Sequence, residues 1–263
     1  MTRTLPLLLV VIASVLGPVP EIAAAVQSEE MTYTQDGTEL HGRLYYDDAV
    51  KEPAPGILVV HEWWGLNDYA MSRARALAAA GYVAFALDMY GEGKTTTHPK
   101  EAGQWSSAVM SNQEQGAARF LAAQDLLARN PRVDGDRIGA IGYCFGGSVV
   151  LTMAMKGADL AGVVSFHGGL PQEKPAEDAV QAQILVCHGG SDPFVTQEQV
   201  QTFQDNLNAA GANWEMIIFG KAKHSFTNPN AGKVGMDALA YDKEADLRSW
   251  EAMSDFFAEI FGQ

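Results

Sequence analysis

Cysteine is scarce in this chain of 263 residues: there are two, Cys144 and Cys187. Basic residues are few as well, 18 Lys and Arg against 32 Asp and Glu, for a net charge of −14. That balance excludes nucleic acid as a partner, because phosphates demand a basic face. It favours solubility and weakly repels anionic substrates in bulk solution. The six histidines show no zinc spacing such as His-Glu-x-x-His, since His61-Glu62 leads only to tryptophans. No metal and no organic cofactor is therefore expected. There is no internal repeat, no long linker and no segment biased enough for disorder.

A long apolar run is missing too. Leu5 to Leu16 is too short to span a bilayer comfortably, and Gly17-Pro18 and Pro20 behind it discourage a continuous helix. With Arg3 ahead of it and Ala23-Ala24-Ala25 behind, residues 1–25 read as a secretory signal peptide. An uncleaved anchor is the alternative. The expected mature protein starts near Val26, keeps no stable membrane anchor and works in the periplasm or as a secreted monomer. Residues 26–263 are enough for one large α/β domain with a substantial core.

Polarity alternates through Met31 to Thr34 and Glu39 to Tyr46 around Asp36-Gly37, which predicts an antiparallel hairpin. From Gly56 onward apolar runs alternate with helical stretches. Strands are expected at Gly56–Val60, Tyr82–Leu87, Arg137–Ile141, Ala161–Phe166, Ile184–Cys187 and Trp214–Phe219. Helices are expected at Tyr69–Ala80, Asn112–Arg129, Ser148–Met155, Thr196–Ala210 and Asp242–Phe261. Such alternation implies a mostly parallel sheet with helices on both faces, and ligand groups beyond the carboxyl ends of the strands.

Ile-Gly-Tyr-Cys-Phe-Gly-Gly, residues 141–147, follows one predicted strand and precedes a helix. Gly142, Gly146 and Gly147 permit a sharp strand-to-helix turn that exposes residue 144 at the sheet edge, where a nucleophile elbow usually carries serine. The turn also aims the first N–H groups of the helix at whatever that side chain attacks. The competing reading is a small buried cysteine in a glycine-rich turn. An exported protein with two cysteines invites a disulfide. Here the predicted strand Ala161–Phe166 separates them by two strand spacings, roughly 10 Å, too far for a disulfide. Cys144 is thus expected as a free working thiol and Cys187 as packing.

A thiol nucleophile needs a base, a group that orients the base, and donors for an oxyanion. Asp192 lies just past the strand Ile184–Cys187, although turn formation explains most Asp-Pro pairs. His224 lies past the strand Trp214–Phe219. The chain order Cys144, Asp192, His224 belongs to α/β-hydrolases and not to other triad hydrolases.

The stretches His61 to Asn67, Leu87 to Tyr90, Gly142 to Gly147, Gly190 to Pro193 and His224 to Phe226 together resemble the dienelactone hydrolase family, the cysteine branch of the α/β-hydrolase fold. They span essentially the whole mature chain. The resemblance implies Cys144 as nucleophile, His224 as base and later acid, and Asp192 as its orienter. It implies Glu62 as a carboxylate that contacts the resting thiol and helps ionise it. A loop carboxylate capping the following helix is the alternative for Glu62. The oxyanion donors would be the backbone N–H groups of Phe145 and Trp63.

The chain departs from the founding pattern where substrate is held. Two arginines that grip a substrate carboxylate are replaced, in Met89 to Lys94 and in His224 to Pro229, and losing such a clamp is not conservative. Lys94 reads as a solvated loop lysine, with a point-charge substitute for a missing arginine as the alternative. Trp64, Tyr90, Tyr143 and Phe226 are expected to line a pocket with Asn228, whose amide, like the Thr227 hydroxyl, suits a neutral carbonyl. The expected activity is hydrolysis of small esters or lactones through a Cys144 thioester. The alternative is a thiol redox or ligand-binding protein on the same scaffold.

Overall fold

The computed structural model describes residues 26–262, so the segment read as a signal peptide lies outside the described residues. A hairpin of β1 (Val26–Gln35) and β2 (Thr38–Asp47) opens the chain. It turns at Asp36-Gly37, both left-handed in φ. Then β3 (Ala54–Val60), α1 (Asp68–Ala79), β4 (Val83–Leu87), α2 (Pro99–Ser111) and α3 (Gln113–Ala128) lead to β5 (Val133–Tyr143) and α4 (Phe145–Met155). The remainder is β6 (Gly162–Phe166), β7 (Gln183–Gly189), α5 (Gln197–Ala209), β8 (Trp214–Phe219), a short 3-10 turn at Ala231–Val234, and α6 (Lys243–Phe261).

The eight strands form one sheet in the order β1-β2-β4-β3-β5-β6-β7-β8. Only the β1–β2 and β2–β4 pairings are antiparallel. Strand periodicity divides the core. Leu58 and Val60 of β3 face the layer of α2, α3, α4 and α5, while Ile57 and Val59 face α1 and α6. Both sides of the central strands are covered, which is why β3 and β4 are apolar at successive positions instead of alternating. The fold is therefore α/β, as expected.

Two elements were not expected. α2 starts at Pro99, whose fixed φ and absent N–H suit a first helical turn. It carries only Ala102 and Val109 as buried residues, too sparse an apolar stripe to stand out. The turn at Ala231–Val234 is held by few local bonds, such as that from Lys233 N–H to the Asn230 carbonyl at 2.9 Å. α4 also begins earlier than expected, at Phe145, directly after the cysteine.

The β5–α4 junction can form only because residue 146 has no side chain. A Cβ there would stand 2.3 Å from the Val60 carbonyl oxygen and 2.7 Å from that of His61. Both are backbone atoms of a fully paired central strand and its exit, and they cannot move aside. Gly146→Ala is therefore expected to cost more than about 3 kcal/mol of stability. Gly220→Ala, with nothing within 4 Å of its Cβ, should change stability by less than about 1 kcal/mol. Thermal denaturation of the two variants beside wild type checks this, and equal melting temperatures would contradict it.

Candidate active site

Cys144 is the N-cap of α4 and adopts φ 54°, ψ −115°, a backbone that few non-glycine residues tolerate. Its carbonyl accepts the Ser148 N–H at 3.1 Å, closing the first helical turn. The side chain makes no cap bond and is left free to project. Cys187 is fully buried on β7, where burial pushes its thiol up, and both cysteines are unbonded. β6 lies between their strands.

The loop after β7 brings Asp192, and the loop after β8 brings His224. Asp192 Oδ1 accepts the Phe194 N–H at 2.9 Å, and Oδ2 accepts from His224 Nδ1 at 2.7 Å. With Nδ1 donating to the carboxylate, Nε2 carries the lone pair, and it stands 3.0 Å from Cys144 Sγ. Burial alone pushes His224 down. The neighbouring sulfur in its thiolate form and the Asp192 carboxylate outweigh it, so His224 is raised above its ordinary range. The arrangement can hold a thiolate–imidazolium pair.

Glu62, just past β3, is buried. The thiol contact that the resemblance implies is not what the structure shows. Glu62 Oε1 accepts from Ser225 Oγ at 2.9 Å and Oε2 from Asn228 Nδ2 at 2.6 Å, while the thiol rests on His224. A desolvated carboxylate takes the strong donors within reach, and the turn at Ser225 (φ 55°) supplies two. Burial raises the Glu62 pKa, only partly offset by those bonds and by His224 and Arg73.

The neighbouring His61 was not singled out from sequence. Its Nδ1 donates to the Glu62 carbonyl at 2.5 Å and its Nε2 accepts the Met89 N–H at 3.2 Å. Burial holds this ring neutral by pushing its pKa down. Because a trans peptide points its C=O and N–H in opposite directions, pinning that carbonyl fixes the direction of the Trp63 N–H. Tyr90 Oη donates to the next carbonyl, that of Trp63, at 3.0 Å.

A cavity of about 380 Å³ opens over Cys144 and His224. Trp63, Phe145, Met110, Phe194, Met236 and Leu239 supply its apolar walls, with Ser106 and Ser148 among the polar groups. None of the five expected pocket residues is among the groups that line it. Tyr143 and Phe226 are fully buried core residues. Tyr143 ends β5 on the α1/α6 side and stacks on Phe166 at 4.7 Å, and Phe226 packs on Phe219 and His167. Tyr90 lies beneath Phe145, 5.5 Å between rings. Trp64 and Asn228 instead line a neighbouring cavity of about 340 Å³, which shares Leu239 with the first. The walls from α2 and from Met236 and Leu239 were missed because a helix with a thin apolar stripe and an irregular loop carry little periodic signal.

No Lys or Arg lines the cavity over Cys144. Lys94 pairs with Glu92 at 3.2 Å and is well exposed, in accord with a solvated loop lysine. Arg73 is spent on Asp246 at 2.7 Å and Arg119 on the Met89 carbonyl at 2.7 Å. Among the described residues, no group of three or more His, Cys, Asp or Glu side chains is arranged to hold a metal ion.

A family model, that of the dienelactone hydrolase family, matches residues 40–261. The chain belongs to that family. It is accordingly a hydrolase. Protein usf of Aquifex pyrophilus is 28% identical over 233 residues, 86% of this chain and 96% of that protein. A solved dienelactone hydrolase-like promiscuous phosphotriesterase from metagenomic libraries is 37% identical, with a TM-score of 0.86 over 89% of this chain and 98% of its own. The solved structure m3DLH is also 37% identical, with a TM-score of 0.87 over 90% of this chain and 99% of its own.

The Glu62 carboxyl makes stability depend on pH. Its folded pKa lies above the unfolded value of 4.5, so its native form is favoured while it is protonated. Its contribution is complete below pH 4.5 and falls as pH rises through the folded pKa. Glu62→Gln can keep both bonds, with its oxygen toward Asn228 and its amide toward Ser225, and it cannot ionise. The variant is expected to match wild type below that pH and to melt a few degrees higher at pH about 8. A difference that stays flat or reverses across that range in thermal scans would contradict this.

Proposed function

We propose that this hydrolase cleaves small neutral carboxylic esters or lactones through a thioester on Cys144. The observation that carries the reading is the relay from Asp192 through His224 to the Cys144 sulfur, with separations of 2.7 and 3.0 Å, at the floor of an apolar cavity. His224 Nε2 takes the thiol proton, and the thiolate sulfur attacks the substrate carbonyl carbon. The carbonyl oxygen becomes an oxyanion held by the N–H groups of Phe145 and Trp63, each such donor typically worth roughly 10²–10³ in rate. As the tetrahedral adduct collapses, the C–O bond breaks and His224 gives its proton to the departing alkoxide. Water, deprotonated by His224, then attacks the thioester; the carboxylic acid leaves and the thiol is restored. Asp192 keeps Nδ1 as donor throughout, so the ring presents the correct nitrogen on each pass.

Neutral substrates are supported by the lack of any Lys or Arg on the cavity wall. A substrate carboxylate would have to be desolvated there with no Lys or Arg to pair with it. The name of the 37% identical metagenomic hydrolase specifies a phosphotriester, which is also neutral. We further propose that the mature chain is exported, as residues 1–25 indicate; N-terminal sequencing of the protein recovered outside the cytoplasm, expected to start near Val26, tests this.

Turnover of p-nitrophenyl acetate is expected to fall at least about 10³-fold in Cys144→Ala. It should fall nearly as far in Cys144→Ser, whose hydroxyl is much harder to ionise. Equal rates in wild type and Cys144→Ala would remove the reaction from this site. In a panel of lactones and esters, neutral members should show the higher kcat/KM, and a preference for carboxylate-bearing members would overturn the substrate assignment.

A further inference from the structure

His167 directly follows β6, is fully buried and has a φ of 43°. Sequence reasoning passed over it, although a histidine at the carboxyl end of a central strand is where this fold class gathers its functional groups. Its backbone N–H is fixed to the Cys187 carbonyl at 2.9 Å, which anchors it to β7. Its Nδ1 accepts the backbone N–H of Cys144 at 3.1 Å, a donor shared with the Phe166 carbonyl at 3.0 Å. On the other edge of the ring, Nε2 meets Thr227 Oγ1 at 2.7 Å, and Thr227 also bonds Tyr69 Oη at 2.6 Å.

A backbone N–H can only donate, so Nδ1 must be the acceptor and Nε2 must carry the proton. The ring is kept in that neutral form by burial and by the nearby His224 and Arg73, which together push it well below its ordinary range. One imidazole thus joins the nucleophile turn to the loop that carries His224, three residues before Thr227. The His167 and His224 rings are 5.3 Å apart. Cys144 and His167, which the bridge joins, are both non-glycine residues with left-handed φ, as is Ser225 in the loop that carries Thr227. Such backbones persist only where their surroundings over-determine them.

We propose that His167 is a positioning residue. It holds the Cys144 backbone in its left-handed turn and so sets the reach from Cys144 Sγ to His224 Nε2. The proposal rests on Cys144 being the nucleophile.

Two variants split the two bonds of the ring. His167→Asn places an acceptor where Nδ1 stood and keeps the Cys144 contact. His167→Gln reaches Thr227 and loses the contact with Cys144. Three readouts are measured on each: kcat and KM for p-nitrophenyl acetate, the iodoacetamide alkylation rate of Cys144 against pH, and the melting temperature. Cys187 is buried and does not compete for the reagent. His167→Gln is expected to lose about 10²-fold in kcat with KM within about threefold, the scale of a misplaced reacting group. Its alkylation should slow about tenfold near neutral pH, with the pH profile displaced upward, because the thiol no longer meets His224 squarely. His167→Asn should recover to within about tenfold of wild type in kcat and should keep the wild-type alkylation profile.

Equal kcat losses in Asn and Gln, or a Gln variant with the wild-type alkylation profile, would overturn the proposal. So would losses that follow melting temperature alone. Alkylation of Cys144 that leaves turnover intact would overturn the nucleophile reading and this proposal with it.

Discussion

The left-handed backbone at Cys144 is the constraint to which the rest of the site is fitted. A non-glycine residue in such a conformation costs on the order of 1–3 kcal/mol. It is tolerated because neighbouring groups leave the turn no alternative. Gly146 seats α4 against the Val60 carbonyl, the Cys144 N–H is engaged by the Phe166 carbonyl and by His167, and Ser148 closes the helix behind it. The strain puts sulfur beyond the sheet edge, at the mouth of α4, within reach of an imidazole delivered from β8. A relaxed turn would return the thiol to the core, where Cys187 shows what burial does to a sulfhydryl.

Around that turn, three histidines do different things because their surroundings differ. His61 and His167 are stripped of water and stay neutral, so each can accept a backbone N–H. His224 is nearly as buried, yet it sits between a carboxylate and a sulfur and is held toward its charged form. The two carboxylates also differ in their partners. Asp192 bonds an imidazole and a backbone donor, whereas Glu62 hydrogen-bonds only the neutral Ser225 and Asn228 and is pushed up by burial, which His224 and Arg73 offset only in part. Lys and Arg are kept off the cavity wall, with Arg73 and Arg119 both committed elsewhere.

Much of this was legible in the sequence because it rests on local patterns. The apolar runs of β3 to β8 are short and dense, the glycines around Cys144 are diagnostic of a tight turn, and the order of Cys144, Asp192 and His224 needs no coordinates. The pocket was less legible. Tyr143 and Phe226 neighbour functional residues in sequence, but strand alternation and the turn after His224 send their rings into the core. Besides Trp63 and Phe145, the walls come from α2 and from Phe194, Met236 and Leu239, segments distant in sequence whose positions depend on packing. The partners of Glu62 were hidden for a similar reason, since a carboxylate between a histidine and two tryptophans does not announce Ser225 and Asn228.

The central claim is that a covalent bond forms on the sulfur of Cys144. Rapid acid quench of the enzyme mixed with p-nitrophenyl acetate, followed by mass analysis of its peptides, tests this most directly. The account predicts one acetyl group on the peptide carrying Cys144, removable by hydroxylamine and absent from Cys144→Ala. Steady turnover with that peptide unmodified, or an acetyl group on any other residue, would contradict it.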